Sequence, residues 1–240
     1  METERPNIEH LESKEKHEGR HFDVLMVRHA KQTKYEAQTN TPLSPEGEKQ
    51  AEVFAHELLK QYEGRQVSFK IKHSGIDRAT QTAAIIEQTL EDLIKGQSLQ
   101  NFKILKTRQN ESLKTTGTLG PILNSGIAYE KAVDEWLANA EKYEGARTPE
   151  EIITTIREYI DHANRLAGRL SDEGDDIVLV WVTHETAHAA LMNSLTGKNT
   201  AELGGSIGHL ESLKFSFSKD SAPVAEFRGE QFEIEPKKPD

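Results

Sequence analysis

Apolar positions change their spacing several times along the chain, and each change marks an element. Residues 23–27 form a short apolar run with the β-branched Val24 and Val27, and it stops at the polar pair Arg28 and His29, as a buried strand does where it meets a loop. Ser44 and Pro45 then supply an N-cap and a proline suited to the first helical position. Ala51, Phe54, Leu58 and Leu59 follow at helical spacing up to Gly64. Residues 67–71 alternate as a second strand and run into His73, Ser74 and Gly75. The stretch 79–94 carries Ala83, Ile86, Leu90 and Leu93 on one helical face, which puts Arg78 near that helix's first turn.

Residues 102–105 read as a weaker strand. After Glu111 comes a stretch with Gly117, Gly120, Pro121 and Gly126 that resists regular assignment and is expected to be a loop near the site. Thr148-Pro149-Glu150-Glu151 is a capping box that opens a helix through Ile152, Ile156, Tyr159, Ala163, Leu166 and Leu170, with Gly174 as its expected end. Residues 177–182 are continuously apolar, as a central parallel strand is, and deliver Thr183 and His184 to its C-terminal edge. A helix over 189–195 and a strand within 206–217 complete the pattern.

This alternation predicts an α/β fold: a three-layer sandwich with a mainly parallel central sheet and helices on both faces. Residues 21–218 are expected to form one domain, flanked by a charged tail over 1–20 and a charged C-terminal extension over 219–240 that is expected to be partly loose. Ligands in such sheets bind beyond the carboxyl ends of the strands. Three polar clusters, at His29, at Ser74 to Arg78 and at His184, fall at strand ends and are therefore expected to converge.

Charge narrows the ligand. The 240 residues carry 30 Lys plus Arg against 40 Asp plus Glu, a net charge of −10, which argues against nucleic acid or an anionic membrane as partner. An anion must then be held by a local cationic pocket. There is no cysteine, so disulfides, thiolate metal sites and thiol nucleophiles are excluded together. No run approaches the roughly 18 apolar residues that span a bilayer, and the N-terminal stretch lacks the apolar core of a secretory signal; a soluble cytoplasmic protein is expected.

Phosphoryl transfer asks of a protein a nucleophile, donors for the equatorial oxygens and an acid for the departing oxygen; a neutral imidazole is a competent nucleophile and the guanidinium fork matches phosphate oxygens. Arg28, His29, Arg78 and His184, with a nearby carboxylate, supply this set. Five segments carry a resemblance to a known family: Met26-Val27-Arg28-His29, residues 43–51, the run Ser74-Gly75-Ile76-Asp77-Arg78-Ala79-Thr80-Gln81-Thr82-Ala83, Asn110-Glu111, and Val182-Thr183-His184. Over residues 22–217 the chain resembles the histidine phosphatase superfamily, also called phosphoglycerate mutase-like.

The resemblance implies that His29 is the phosphorylated nucleophile, that Arg28, Arg78 and His184 hold the phosphoryl group, and that Glu111 is the proton donor. It implies no metal and no cofactor. The expected activity is hydrolysis of a phosphomonoester or a phosphoprotein through a phosphohistidine, so the expected partner is a small phosphorylated substrate or a phosphoprotein. Several positions depart from the family, among them the usual threonine or serine and the later asparagine after the first histidine, which are missing here. Ala30 stands for the glycine after the first histidine, Lys31 for the acidic residue that often follows it, and Glu185 for the glycine after the second histidine. A carboxylate about 6 Å from a phosphate charge is repelled by roughly 3 kcal/mol at an effective dielectric near 20, so Glu185 is expected to turn toward Lys31 or Arg28.

Phosphoglycerate-mutase-type transfer uses the same four residues, and a phosphate-binding pseudoenzyme keeps them without turnover. A third alternative comes from His184-Glu185-Thr186-Ala187-His188, which matches the H-E-x-x-H zinc-protease pattern with Glu202 or Glu211 as conceivable third ligands. That pattern needs both histidines on one helical face, whereas His184 directly follows a strand. Among the other histidines, His10, His17, His21, His56 and His162 read as surface residues, while His73 and His209 are candidates for lining the site.

Overall fold

The computed structural model describes residues 20–33, 41–115, 119–145, 147–169, 174–219 and 222–234. The charged tail expected over 1–20 lies outside them except for Arg20.

Two strands form the middle of the sheet, β1 (Phe22–Arg28) and β4 (Asp176–Thr183), parallel and paired from Phe22 with Ile177 to Arg28 with Thr183. Their unbroken apolar runs have a simple cause. Val24 and Met26 point into one core and Leu25 and Val27 into another, so both faces of β1 are buried. The second of these cores is closed by α1 (Pro45–Gln61) through Ala51, Ala55 and Leu58, and by α2 (Asp77–Gly96) through Ala83, Ile86 and Leu90. The first is closed by α4 (Tyr129–Asn139), α5 (Pro149–Ala167) and α6 (Glu185–Thr196), through Trp136, Ile152, Ile156, Ile160 and Leu191. Helices thus cover both faces.

Local signals behave as their chemistry requires. Ser44 Oγ accepts from Gly47 N at 3.1 Å to open α1, and Thr148 and Glu151 exchange the two bonds of a capping box at the start of α5. α5 stops at Ala167, with Gly168 as its cap, earlier than the predicted end at Gly174; Leu170 is outside the described residues. The weak strand is longer than predicted, β3 (Phe102–Gln109). The glycine-bearing stretch is not all loop either: a 3-10 turn at Glu111–Leu113 and the short α3 (Gly120–Asn124) precede α4.

The expectation of a mainly parallel sheet is corrected. With β2 (Val67–His73), β5 (Ser212–Phe217), β6 (Val224–Phe227) and β7 (Glu230–Glu233), the order is β3-β2-β4-β1-β5-β6-β7, so the sheet is mixed. β3, β2, β4 and β1 run parallel, and β5, β6 and β7 are antiparallel to their neighbours. The reason is the route of the chain after α6. Residues 197–211 carry it back to the carboxyl end of β1, where Leu210 N donates to Arg28 O at 3.0 Å, so β5 has to descend antiparallel. Arg228 and Gly229, both at positive φ (50° and 79°), then make a tight turn that folds β7 back on β6. Part of the stretch expected to be loose is therefore sheet, with Ala225 and Phe227 buried. No helix among the described residues is long and apolar enough to cross a membrane.

Candidate active site

Three neighbouring strands, β2, β4 and β1, end side by side, and each delivers a polar residue at its carboxyl end. His29 N donates to Thr183 O at 3.0 Å just past β1, Ser74 N donates to Val182 O at 3.3 Å just past β2, and His184 follows β4 as the residue capping α6. Arg78 enters from the first turn of α2. The convergence predicted from topology is present for Arg28, His29, Arg78 and His184.

Arg78 joins the two histidines. Its Nε–H donates to His29 Nε2 at 2.9 Å, and its Nη2 lies 3.4 Å from His184 Nδ1; the two imidazole rings are 5.3 Å apart, centre to centre. The tautomers follow from these partners. His29 Nδ1 is 2.8 Å from Ala30 O, and since a carbonyl only accepts, Nδ1 carries the proton and Nε2 the lone pair. His184 Nε2 is 2.9 Å from Ser74 Oγ and donates to it, leaving Nδ1 as the acceptor toward Arg78. Both imidazoles are about 5% exposed. Burial holds the His29 pKa well below the usual histidine value, with His184, Arg78 and Arg28 adding to the effect. Burial does the same for His184, helped by Arg78 and Arg28. Both rings are thus neutral near pH 7.

Further bonds fix the backbone around His29. Ala30 N donates to Thr82 Oγ1 at 3.1 Å, and Thr82 Oγ1 donates on to Arg78 O at 2.6 Å, so one hydroxyl couples the residue after His29 to the arginine beside it. His209 Nδ1 donates to His29 O at 3.0 Å, with its ring 5.6 Å from that of His29. Gly47 lies so close to Lys31 O that a Cβ there has no room.

Arg28 is already engaged. Its Nη2 is 3.1 Å from Glu185 Oε2, and its Nη1 donates to Ile207 O. The expected turn of Glu185 toward Arg28 is what the structure contains, while Lys31 pairs with Glu46 instead. Glu111 sits differently from the other expected site residues. It opens the 3-10 turn after β3, is exposed, and accepts from Gln109 Nε2, and Gln109 packs against Gly75, next to Ser74. Its link to the histidines runs through that chain of neighbours. The turn itself is pinned at the sheet's end, since Thr183 Oγ1 donates to Leu113 O at 2.8 Å and Tyr159 OH donates to Asn110 Oδ1 at 3.1 Å.

Residues 24–113 match the family model of the histidine phosphatase superfamily (branch 1), a stretch that holds Arg28, His29, Arg78 and Glu111. The resemblance to the histidine phosphatase superfamily is shown. No curated protein sequence matches the chain. Among solved structures, a mycobacterial glucosyl-3-phosphoglycerate phosphatase is 19% identical with a TM-score of 0.54, covering 82% of this chain and 91% of that one. A phosphoglycerate mutase from Bacillus anthracis is 18% identical with a TM-score of 0.56, covering 89% and 95%. A phosphoserine phosphatase from Entamoeba histolytica is 14% identical with a TM-score of 0.54, covering 89% and 98%. At these identities the three show a shared fold and nothing finer.

Against that superfamily background the zinc-protease pattern loses its ligands. His184 has both ring nitrogens engaged by Ser74 and Arg78, and His188 has both next to carbonyl oxygens, Nε2 at 2.8 Å from Met26 O and Nδ1 at 3.1 Å from His184 O. Glu211 binds Arg228 and Gly208 N, and Glu202 caps the turn at Asn199. The two additional histidines part company: His209 touches His29, whereas His73 Nδ1 accepts from Gly75 N and takes the Thr80 hydroxyl, bracing the turn before α2. Ser74 and Thr82 lie in a run that sequence reasoning expected near the site but gave no partner, and Gln109 and the Ile207 carbonyl are components it did not single out. Their roles arise from partners 52 to 179 residues away or, for Gln109, from packing on Gly75.

Proposed function

We propose that this protein is a metal-independent phosphatase that hydrolyses a phosphomonoester, or a phosphoprotein, through a phosphohistidine on His29 Nε2. One observation carries the proposal: Nε2 of a neutral, buried His29 holds a lone pair, with its Nδ1 proton tied to Ala30 O and with Arg78 and His184 beside it. That is a nucleophile whose tautomer is set in advance.

In the proposed reaction the substrate's phosphoryl group displaces the Arg78 Nε–H from the lone pair and takes it onto one of its own oxygens. The Arg78 fork and the His184 ring then face the equatorial oxygens as charge shifts onto them in the transition state. The bond from phosphorus to the ester oxygen breaks as the bond to Nε2 forms, and the departing oxygen receives a proton, a role assigned to Glu111. Water then gives a proton to the Glu111 carboxylate and attacks phosphorus as the bond to Nε2 breaks, which releases inorganic phosphate and restores the neutral imidazole and the acid. The partners proposed are small phosphorylated molecules or phosphoproteins in the cytoplasm. Nucleic acid and membranes are not among them, in keeping with the net charge of −10.

A second reading, a phosphate-binding protein without turnover, is favoured by the placement of Glu111, whose carboxylate is exposed and engaged by Gln109. The deciding experiment is an assay with para-nitrophenyl phosphate and a phosphosugar panel in chelator, comparing wild type with His29→Ala, together with acid-labile phosphate labelling. Turnover and labelling that both vanish in His29→Ala support the phosphatase. Full activity in His29→Ala rejects the mechanism, and phosphate binding without turnover in wild type favours the second reading.

A further inference from the structure

We propose that Glu185 sets the charge state of the substrate this site accepts: by holding a carboxylate against Arg28 inside the anion pocket, it makes the pocket select the monoanion of a phosphomonoester over the dianion. The inference rests on the phosphatase reading of the same site and adds a substrate class to it.

Among the described residues in contact at the site, Arg28 and Arg78 bring positive charge, the Glu185 carboxylate offsets part of it, and burial keeps His29 and His184 neutral. A dianion loses more to that carboxylate than a monoanion does, because each of its charges is repelled. Arg28 is also the guanidinium least able to help, because Nη2 is held by Glu185 and Nη1 by Ile207 O before any anion arrives.

Glu185 will not simply swing aside. It is 4% exposed, it opens α6 where the helix dipole favours a carboxylate, and its partner Arg28 is itself only 13% exposed. The groups that face it are Arg28, from the β1 end, and His209, from the segment before β5, which also feels Lys31; Arg28 in turn acts on His29, His184 and His188. Glu211 is committed to Arg228. The four imidazoles are all held below the usual histidine value, by burial first of all. A comparison between weakly acidic and weakly alkaline pH scans the second ionisation of an alkyl phosphate, near pH 6, and the Glu185 variants separate it from histidine titrations that wild type and variants share.

A carboxylate about 6 Å from a phosphoryl charge weakens its binding by up to about a hundredfold at an effective dielectric near 20, and water reaching the pocket mouth brings the expected effect to about tenfold. The test is steady-state kinetics with an alkyl phosphate such as glycerol phosphate at about pH 5.5 and about pH 8, with inorganic phosphate as competitive inhibitor, on wild type, E185Q and E185G. Wild type is expected to show a KM about tenfold higher at the alkaline pH, whereas both variants are expected to lose that rise, with the change in KM and not in kcat. The same pattern is expected in the inhibition constant of phosphate. Glycine at a helix start is well tolerated, so one neutral variant remains readable if the other fails to fold.

A wild-type KM rise retained in either folded variant overturns the inference while leaving the phosphatase standing. Absence of turnover in wild type, with calorimetric phosphate binding that follows the same dependence on pH and on Glu185, overturns the phosphatase and leaves the charge selection intact.

Discussion

Arg78 donates to the same nitrogen of His29 that is proposed to attack phosphorus, at 2.9 Å, while the far side of its guanidinium reaches His184 at 3.4 Å. One side chain thus holds the proposed nucleophile in place and is the proposed donor to phosphoryl oxygens. Lysine keeps the charge but has neither the fork nor the Nε donor. Arg78→Lys is expected to lower kcat/KM by about 10²-fold or more, as removal of an aimed donor does elsewhere. Steady-state kinetics on para-nitrophenyl phosphate check this, and a loss under threefold counts against the role.

Glu111 is tested best through the leaving group. A good leaving group departs without a proton, so Glu111→Gln is expected to change turnover of para-nitrophenyl phosphate little, while slowing an alkyl phosphate by about 10²-fold or more. Equal losses on both substrates argue that the exposed carboxylate acts on structure through Gln109, and no loss on either removes it from the mechanism.

Stability should depend on pH through the buried imidazoles. His29, His184, His188 and His209 all have pKa values below the usual histidine value in the folded state, so the unfolded chain binds more protons as pH falls through that value. Stability is then highest above the unfolded value and falls as pH drops from there toward the folded values. Urea unfolding at about pH 7.5 and about pH 5 is expected to show a loss of at least about 1 kcal/mol at the lower pH. A rise in stability on acidification has the wrong sign for this account.

Gly47→Ala places a methyl group against the Lys31 backbone carbonyl, which belongs to the loop two residues past His29. The obstacle is backbone, which cannot rotate away, so a loss of about 1–3 kcal/mol is expected in denaturant unfolding. Because that loop carries Ala30, whose carbonyl sets the His29 tautomer, turnover in the folded fraction is expected to fall as well.

Chelation is the simplest discriminator. With both ring nitrogens of His184 and of His188 facing donors or carbonyl oxygens, prolonged treatment with a strong chelator is expected to leave phosphatase activity unchanged. Complete and zinc-reversible loss contradicts this.

The site was readable from sequence wherever a residue sits at the end of an unmistakable strand. β1 and β4 announce themselves by unbroken apolar runs, and His29 and His184 follow from where those runs stop. Ser44 and Thr148 announce α1 and α5 by side-chain chemistry that acts within three residues. The hidden parts depend on the return path of the chain. Ile207 and His209 reach Arg28 and His29 only because residues 197–211 climb back to the carboxyl end of β1, and no local pattern encodes that climb. The same detour made β5 antiparallel and spoiled the expectation of a mainly parallel sheet. The turn at Arg228 and Gly229 has only half of the strong two-residue hairpin signal, since arginine there lacks the ease of asparagine at positive φ, and β7 was missed with it.

β3 lies at one margin of the sheet, where unpaired backbone groups along a strand invite another chain to add on. Lys103, Lys106 and Arg108 are spaced along that margin, and Lys70 and Lys72 stand on the strand beside it. A second copy offering the same strand meets a row of like charges, so self-association by strand addition is disfavoured at the border nearest the turn that carries Glu111.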